Sequence, residues 1–119
     1  MKFFTLDEFD SPDAPGSGER MDRHFLELLD AIREEAGIPF QINSGYRTPE
    51  HNRDPKVGGG PNSAHLRGMA ADIRATSGRQ KALIVLAAAK NGIQRIGIGK
   101  TFVHIDIDGT LPSPTIWLY

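Results

Sequence analysis

Cysteine is absent from this chain of 119 residues, and its absence excludes several kinds of site at once. A disulfide framework, a thiolate metal ligand and a cysteine nucleophile all require a residue that the chain does not have. Any transition-metal site must therefore use histidine and carboxylate side chains. The sequence offers four histidines and 15 acidic residues from which to build one.

Long apolar runs are missing as well. No stretch approaches the roughly 20 apolar residues that a membrane-spanning helix needs. The apolar start of the chain turns acidic at Asp7 and Glu8, so it is too short for a signal peptide. We expect a protein that is made in the cytoplasm without an export signal of its own.

Neither sign of charge is in clear excess. Lysine and arginine number 14 against 15 aspartate and glutamate, which gives a net charge of -1, and the basic residues are scattered along the sequence. A surface for nucleic acid or for an anionic membrane usually shows clustered basic residues. We therefore expect no nucleic-acid partner and no membrane partner, and we expect a monomer.

What is present is typical of one folded domain. Hydrophobic residues make up 39% and charged residues 24% of the chain, which are ordinary globular values. A chain of this length can bury one modest core. We predict a single domain over residues 1–119, in which residues 1–18 form an extended lead-in because proline, glycine, serine and aspartate are frequent there.

Two helices and one short helical turn are predicted. Apolar residues at three-and-four spacing predict a helix over residues 21–36, which Gly37 ends. A broad apolar face predicts a second helix over residues 77–91. Thr48 can cap a short helix that has Pro49 at its first position.

The strands predicted from alternating or short apolar runs occupy residues 40–43, 69–75, 93–98 and 102–108. Residues 57–62 are predicted to form a loop, because three glycines and a proline disfavour regular structure there. Because helices and strands do not strictly alternate, we predict an α+β fold with a mostly antiparallel sheet and flanking helices.

Side chains on the last of these strands should alternate between two faces. Val103 and Ile105 then belong to the core, while His104 and Asp106 face a site or solvent. Asp108, farther along the same face, is expected to be exposed. The apolar tail is expected to close the core with its aromatic residues, Trp117 and Tyr119, although a position at the rim of a cleft is the alternative.

One segment concentrates the residues that could hold a metal. His65 lies in a loop, a turn at Gly68 follows, and Asp72 comes next on a predicted strand, while His104 projects from another strand. Catalytic zinc takes three nitrogen or oxygen ligands and leaves one position open. From spacing alone, these three residues fit either a zinc site or ordinary polar groups of a loop.

The segment over residues 63–72 resembles the Ser-x-His-x-x-Gly-x-Ala-x-Asp motif of the zinc D-Ala-D-Ala carboxypeptidase family, whose fold is shared with the hedgehog signalling domain. Residues 44–52, Ser-Gly-Tyr-Arg-Thr-Pro-Glu-His-Asn, resemble the arginine-bearing segment of that family, and residues 102–106 resemble its last metal-ligand strand. The three blocks occur in the family's order. The resemblance implies the hedgehog-like peptidase fold and a Zn²⁺ cofactor.

The resemblance also assigns roles to individual residues. It makes His65, Asp72 and His104 the zinc ligands, and it makes Arg47 the residue that binds the substrate carboxylate. A guanidinium suits that role because it can grip a carboxylate with two parallel hydrogen bonds. The alternative for Arg47 is a surface salt bridge.

Two further residues are candidates for contact with the substrate. Ser63 either orients its loop, donates to the substrate or only stabilises a turn. His51 follows Arg47 by one helical turn and either lines the cleft or lies on the surface. Neither assignment is decided by the residue type.

The sequence departs from the family at the general base. The best-known family members carry an acidic residue, the general base, three positions before the last ligand, and some members add a histidine two before it, but here those places hold Thr101 and Phe102. Neither side chain can take a proton from water at neutral pH. Asp106 is the nearest substitute, either as the base or as the group that orients the imidazole of His104.

The resemblance implies the function of a zinc metallopeptidase that hydrolyses amide bonds in peptidoglycan stem peptides or cross-links, as a carboxypeptidase or an endopeptidase. The size of the chain and the absent signal peptide resemble endolysin-like enzymes of phages and prophages, which lysis or a virion delivers to the cell wall. The alternative is a catalytically weak or inactive zinc-binding module of the same fold, with a binding or structural part in the virion.

Overall fold

The computed structural model describes residues 1–119. It contains three α-helices, α1 (Arg23–Ala36), α2 (Pro49–Arg53) and α3 (Gly78–Lys90). Five strands complete it: β1 (Ile42–Ser44), β2 (Ala70–Arg74), β3 (Arg95–Ile98), β4 (Phe102–Asp106) and β5 (Thr115–Leu118). None of the helices has the length and apolar character needed to cross a membrane.

The strands form one sheet in the order β1-β2-β4-β3-β5. The pairs β1–β2, β2–β4 and β3–β4 are antiparallel, whereas β3–β5 is parallel. The predicted α+β class and the mostly antiparallel sheet are therefore confirmed.

The helix ends follow the capping signals in the sequence. The Asp22 carboxylate accepts a hydrogen bond from the backbone N–H of Phe25 at 2.9 Å, which begins α1. Gly37 ends the same helix with a left-handed φ of 70°. The hydroxyl of Thr48 accepts from the backbone N–H of His51 and so caps α2, with Pro49 at its first position as predicted.

The core lies on one face of the sheet. Apolar side chains of α1 and α3 pack there against those of β2, β3 and β4. Fully buried members include Phe25, Leu29, Ile32, Ile73, Ile84, Val103 and Ile105. Burial of a side chain of this size contributes about 1.5–3 kcal/mol, so this face supplies the main apolar stabilisation of the fold.

The segment ahead of α1 differs from the extended lead-in that composition suggested. It contains two 3-10 helices, Leu6–Phe9 and Ser17–Arg20, and it adds Phe4 and Phe9 to the core. The backbone carbonyl of Phe9 accepts a hydrogen bond from Tyr46 N–H at 2.9 Å. Two buried aromatic side chains explain why a segment rich in proline and glycine takes a fixed position.

The opposite face of the sheet carries the polar residues. On β4, Val103 and Ile105 face the core while His104 and Asp106 face the other way, as strand alternation predicts. Asp72 on β2 is the direct partner of His104 on β4. The sheet thus brings together two candidate ligands that lie 32 positions apart in sequence.

Candidate metal centre

Three candidate ligands converge on the polar face of the sheet. His65, Asp72 and His104 each offer one ligand atom, and these atoms all lie within 4.8 Å of one another. The Oδ1 atom of Asp72 is 3.3 Å from Nε2 of His65 and 2.9 Å from Nδ1 of His104. All three side chains are buried.

A short 3-10 helix, Ala64–Arg67, positions His65. Its first residue is preceded by Ser63, whose hydroxyl accepts a hydrogen bond from the backbone N–H of His65 at 3.3 Å. Gly68 ends it at a φ of 69°, and a Cβ there would lie 2.4 Å from the backbone oxygen of Arg20. Only glycine therefore allows the turn that brings His65 back over Asp72.

Hydrogen bonds to the outer nitrogens fix the two imidazole rings. Nδ1–H of His65 donates to the backbone carbonyl of Gly45 at 2.7 Å, because a carbonyl oxygen can only accept. Nε2 of His104 lies 2.7 Å from Oδ2 of Asp106 and donates to that carboxylate. The inner nitrogens, Nε2 of His65 and Nδ1 of His104, are left to face Asp72.

This arrangement fits a divalent metal ion. Burial lowers the pKa of His65, so its ring is neutral and a nitrogen lone pair points at the Asp72 carboxylate. Burial would also lower the pKa of His104, but its hydrogen bonds with Asp106 and Asp72 raise it overall. Nε2 of His65 and Oδ1 of Asp72 are therefore two acceptor atoms that face each other, and they repel one another unless a cation lies between them. Two imidazoles and one carboxylate, each oriented by an outer partner, form the donor set that zinc prefers.

Asp106 is engaged on both oxygens. Oδ2 accepts from His104, while Oδ1 accepts from Nε of Arg95 at 2.8 Å and from the backbone N–H of Asp108 at 3.1 Å. Burial would raise the pKa of Asp106, but the hydrogen bond from His104 and the other donors lower it. It also lies at the nitrogen of His104 that is remote from the ligand cluster. Of its two considered roles, this geometry favours orientation of His104 over proton transfer.

The two positions at which the resemblance would place a general base hold Thr101 and Phe102. Thr101 is exposed, and its backbone carbonyl accepts a hydrogen bond from the N–H of Ala75. Phe102 is half-buried and forms part of the wall of the cleft beside the cluster. Neither residue therefore supplies a general base in the structure, in agreement with the sequence.

Arg47 lies inside the site. Its Nη2 is 3.2 Å from Oδ2 of Asp72, its Nε donates to the Ser44 hydroxyl at 3.0 Å, and its Nη1 donates to Oδ1 of Asn52 at 3.4 Å. The side chain is 11% exposed. The alternative of a surface salt bridge is therefore wrong, because the ion pair is largely buried and involves a candidate ligand.

Asn52 is a residue that sequence reasoning did not single out. It is buried, it accepts from Arg47, and its Nδ2 donates to the backbone carbonyl of Gly60 at 2.9 Å. A Cβ at Gly59 would lie 1.9 Å from the Asn52 amide oxygen. The glycine-rich loop thus packs its backbone on Asn52, and the only signal for this was the position of Asn52 in the arginine-bearing segment.

The cluster lies in an open cleft of about 650 Å³. The residues that line it include the loop over residues 57–60, Ser63 and His51, and also the three rings Phe102, Trp117 and Tyr119. His51 is half-buried in this lining. The expectation that Trp117 and Tyr119 close the core is wrong, because the rings border the cleft and Tyr119 is 67% exposed.

Asp108 also differs from its expected exposure. Its carboxylate is buried and forms an ion pair with Arg67 of the 3-10 helix that carries His65. The same carboxylate accepts from the backbone N–H and the hydroxyl of Thr110. Asp108 therefore ties the segment after β4 to the turn that holds the first histidine.

An α+β fold with a buried His-Asp-His cluster at the floor of a cleft is an arrangement that can hold a metal ion within reach of a substrate. The family model described as Peptidase M15 matches residues 6–108. The chain therefore belongs to the peptidase M15 family, a family of metallopeptidases, and the resemblance noted in the sequence is confirmed.

Among solved structures, the chain is similar to the L-Ala D-Glu endopeptidase ChiX of Serratia marcescens. The two share 18% sequence identity with a TM-score of 0.55, and the match covers 76% of this chain and 82% of the other. At this identity the likeness shows the fold. No curated protein matches the sequence.

Proposed function

We propose that this protein is a zinc-dependent peptidase that hydrolyses an amide bond in peptidoglycan stem peptides or their cross-links. The observation that carries the proposal is the convergence of His65, Asp72 and His104 within 4.8 Å at the floor of an open cleft. The family supports peptidase chemistry. The similar fold of an enzyme named for an L-Ala D-Glu bond supports a cell-wall peptide as the substrate.

His65, Asp72 and His104 would hold the ion. Bound zinc supplies a Lewis acid that polarises the scissile carbonyl and activates water. The carbonyl of Gly45 and the carboxylate of Asp106 keep the two imidazole rings in the orientation that presents their free nitrogens. These two outer partners thus act on the reaction by fixing the ligands.

Arg47 would bind a carboxylate of the substrate. A guanidinium has five N–H donors, and the contacts with Ser44, Asn52 and Asp72 account for three of them. Two donors remain for a carboxylate that enters the cleft. Because these three contacts already fix the position of the guanidinium, little side-chain entropy is lost when the substrate binds. The residue that supplies the scissile nitrogen would carry this carboxylate.

Ser63 and His51 would contribute less directly. The Ser63 hydroxyl already accepts from His65 N–H, but its own proton is available to an acceptor in the cleft. His51 sits on α2 one turn after Arg47 and borders the same space. We assign both to the binding of the substrate and neither to proton transfer.

A second function is favoured by the missing base. Thr101 and Phe102 occupy the base positions and Asp106 is fully engaged, so a zinc-binding module of low or no activity is the rival proposal. Loss of a general base typically costs 10²–10⁴-fold in rate, so an enzyme without one would be slow and still measurable.

The test is incubation of the purified zinc form with peptidoglycan fragments, followed by mass analysis of the products. His65→Ala is the inactive variant, and His24→Ala is the matched control because His24 is exposed on α1. Cleavage by the wild type and by His24→Ala, but not by His65→Ala, supports the peptidase. Tight zinc binding without any cleavage supports the module. The mass of the products identifies the bond and separates carboxypeptidase from endopeptidase action.

A further inference from the structure

One row of residues crosses the entire sheet on its polar face. Backbone register pairs Ser44 of β1 with Asp72 of β2, and Asp72 with His104 of β4. It continues by pairing His104 with Gly97 of β3, and Gly97 with Trp117 of β5. Neighbouring strands lie about 4.8 Å apart, so the row spans roughly 19 Å. The ligand cluster lies between its two ends.

The two ends of this row have opposite character. At the β1 end, Ser44 holds the Arg47 guanidinium, which carries a positive charge beside the cluster. At the β5 end the wall of the cleft is made of rings, which we call the aromatic shelf: Phe102, Trp117 and Tyr119. A substrate that lies along the row would therefore meet a cation on one side of the cluster and an apolar surface on the other.

Gly97 is what allows the shelf to lie beside the cluster. A Cβ at this position would be 2.6 Å from Nε1 of Trp117 and 2.8 Å from Cε2 of Tyr119. Contacts that short do not occur, so any side chain at residue 97 would displace both rings. With glycine there, the Trp117 ring reaches back to within 5.3 Å of the His104 ring, centroid to centroid.

The shelf is continuous and accessible. The Tyr119 ring lies 4.8 Å from Phe102 and 6.3 Å from Trp117. Tyr119 is the most exposed of the three. Aromatic faces that stay exposed inside a cleft offer contact area at little cost in side-chain entropy.

The cation in contact with the shelf, Arg95, is already paired. Arg95 stacks its guanidinium 4.9 Å from the centre of the Trp117 ring, but its Nε donates to Asp106 at 2.8 Å. Its Nη1 donates to the backbone carbonyl of Pro112, and the side chain is 12% exposed. A charged group of the substrate would lose water over these rings without gaining a side chain of opposite charge from them, which is unfavourable.

We propose that the aromatic shelf is the subsite for the acyl side of the scissile bond, and that it binds an uncharged group with a surface rich in C–H bonds. This inference rests on the proposed peptidase function. Arg47 takes the carboxylate on the amine side, the cluster takes the scissile carbonyl, and the acyl portion extends along the row over β3 and β5. An alkyl side chain of the stem peptide and a sugar ring of the glycan share the required chemistry.

The test compares kcat/KM for three substrates with the same scissile bond. The first ends one residue on the acyl side, the second adds the stem peptide there, and the third adds the stem peptide and its disaccharide. For each variant we divide kcat/KM for an extended substrate by kcat/KM for the short substrate. We expect Tyr119→Ala to lower this ratio about tenfold. Gly97→Ala should lower the same ratio, because it displaces two rings at once.

Leu118→Ala is the matched control. Leu118 lies between Trp117 and Tyr119 on β5, points to the other face of the sheet and is 81% exposed. It should leave the ratio unchanged. A lowered ratio for the second substrate assigns the shelf to the peptide, and a lowered ratio for the third alone assigns it to the sugar. An equal loss for all three substrates, or no loss for any, overturns the proposal.

A binding measurement separates this inference from the peptidase function itself. Trp117 is the only tryptophan of the chain, so its fluorescence reports on the shelf directly. Titration of the zinc form with the disaccharide stem peptide should change the emission saturably, with a Kd about tenfold weaker in Tyr119→Ala. If the wild type cleaves nothing yet shows this change, the shelf stands as a binding surface for the ligand, while the peptidase proposal and the assignment to an acyl side both fall. If the wild type cleaves all three substrates equally well, the subsite proposal fails while the peptidase proposal stands.

Discussion

The two faces of the sheet are built from different kinds of contact. On the core face, Val103 and Ile105 of β4 are fully buried among apolar side chains from α1 and α3. On the polar face, His104 of the same strand lies between two carboxylates, with Asp72 near one ring nitrogen and Asp106 near the other. Apolar burial is nondirectional and tolerates small shifts, whereas the polar face depends on particular atom pairs. Substitutions on the two faces should therefore separate stability from metal binding.

Removal of a ligand from the polar face should have the largest effect. His104→Ala deletes one of three candidate ligands, so we expect no stoichiometric zinc uptake and no detectable peptidase activity. Elemental analysis and calorimetry measure the uptake. In the wild type, zinc at about 1,000 times its Kd should stabilise the fold by roughly 4 kcal/mol, and this gain should vanish in the variant. Zinc bound one to one by His104→Ala would contradict the assigned ligand set.

The neighbouring residue on the core face should show the opposite pattern. Ile105→Ala removes a fully buried side chain and should lower the free energy of unfolding by about 2–5 kcal/mol, because it leaves a cavity. Below its melting temperature it should still bind one zinc ion. Denaturant unfolding with and without zinc checks both statements, and a loss of zinc from the folded variant would show that the faces are not independent.

Asp106 sharpens the comparison because it lies on the polar face outside the ligand set. Asp106→Asn weakens the hold on the His104 ring, so zinc affinity should fall about 10–100-fold while stoichiometry stays at one. Glu27→Gln on the exposed side of α1 is the charge-matched control. Unchanged zinc affinity together with lost activity would instead mark Asp106 as the base.

The smallest effect is expected for a substitution that keeps the charge. Arg47→Lys retains the cation but loses the planar fork, so KM for a substrate with a free carboxylate should rise about tenfold. A substrate with that carboxylate amidated should respond less. Arg79→Lys, which is exposed on α3, controls for the exchange itself. Equal responses of the two substrates would place the carboxylate elsewhere.

Local signals predicted much of the fold and of the site. Gly37, the Thr48–Pro49 pair and the turn at Gly68 each require a particular backbone conformation, so residue type alone marks them. The alternation on β4 likewise predicted which side chains face the core. His65 and Asp72 are close in sequence on either side of one turn, which made their proximity visible.

Long-range pairings were beyond such signals. The burial of Asp108 depends on Arg67, 41 positions earlier, and the place of Trp117 in the cleft depends on a parallel pairing of β5 with β3. Neither partner can be read from the neighbouring sequence. Composition also gave a wrong prediction for residues 1–18, which were expected to be an extended lead-in. Two phenylalanines in this segment are buried in the core, and their contacts fix the segment although proline and glycine are frequent in it.

One contact in that lead-in reaches the metal centre. A Cβ at Gly45 would lie 2.8 Å from Phe9, while the carbonyl of Gly45 holds the ring of His65 at 2.7 Å. Gly45 thus lies in close contact with Phe9 on one side and binds the ring of His65, a candidate zinc ligand, through its carbonyl. We therefore expect that removal of residues 1–9 would loosen the position of Gly45 and of the His65 ring, and would so weaken ion binding at a distance from the candidate ligands.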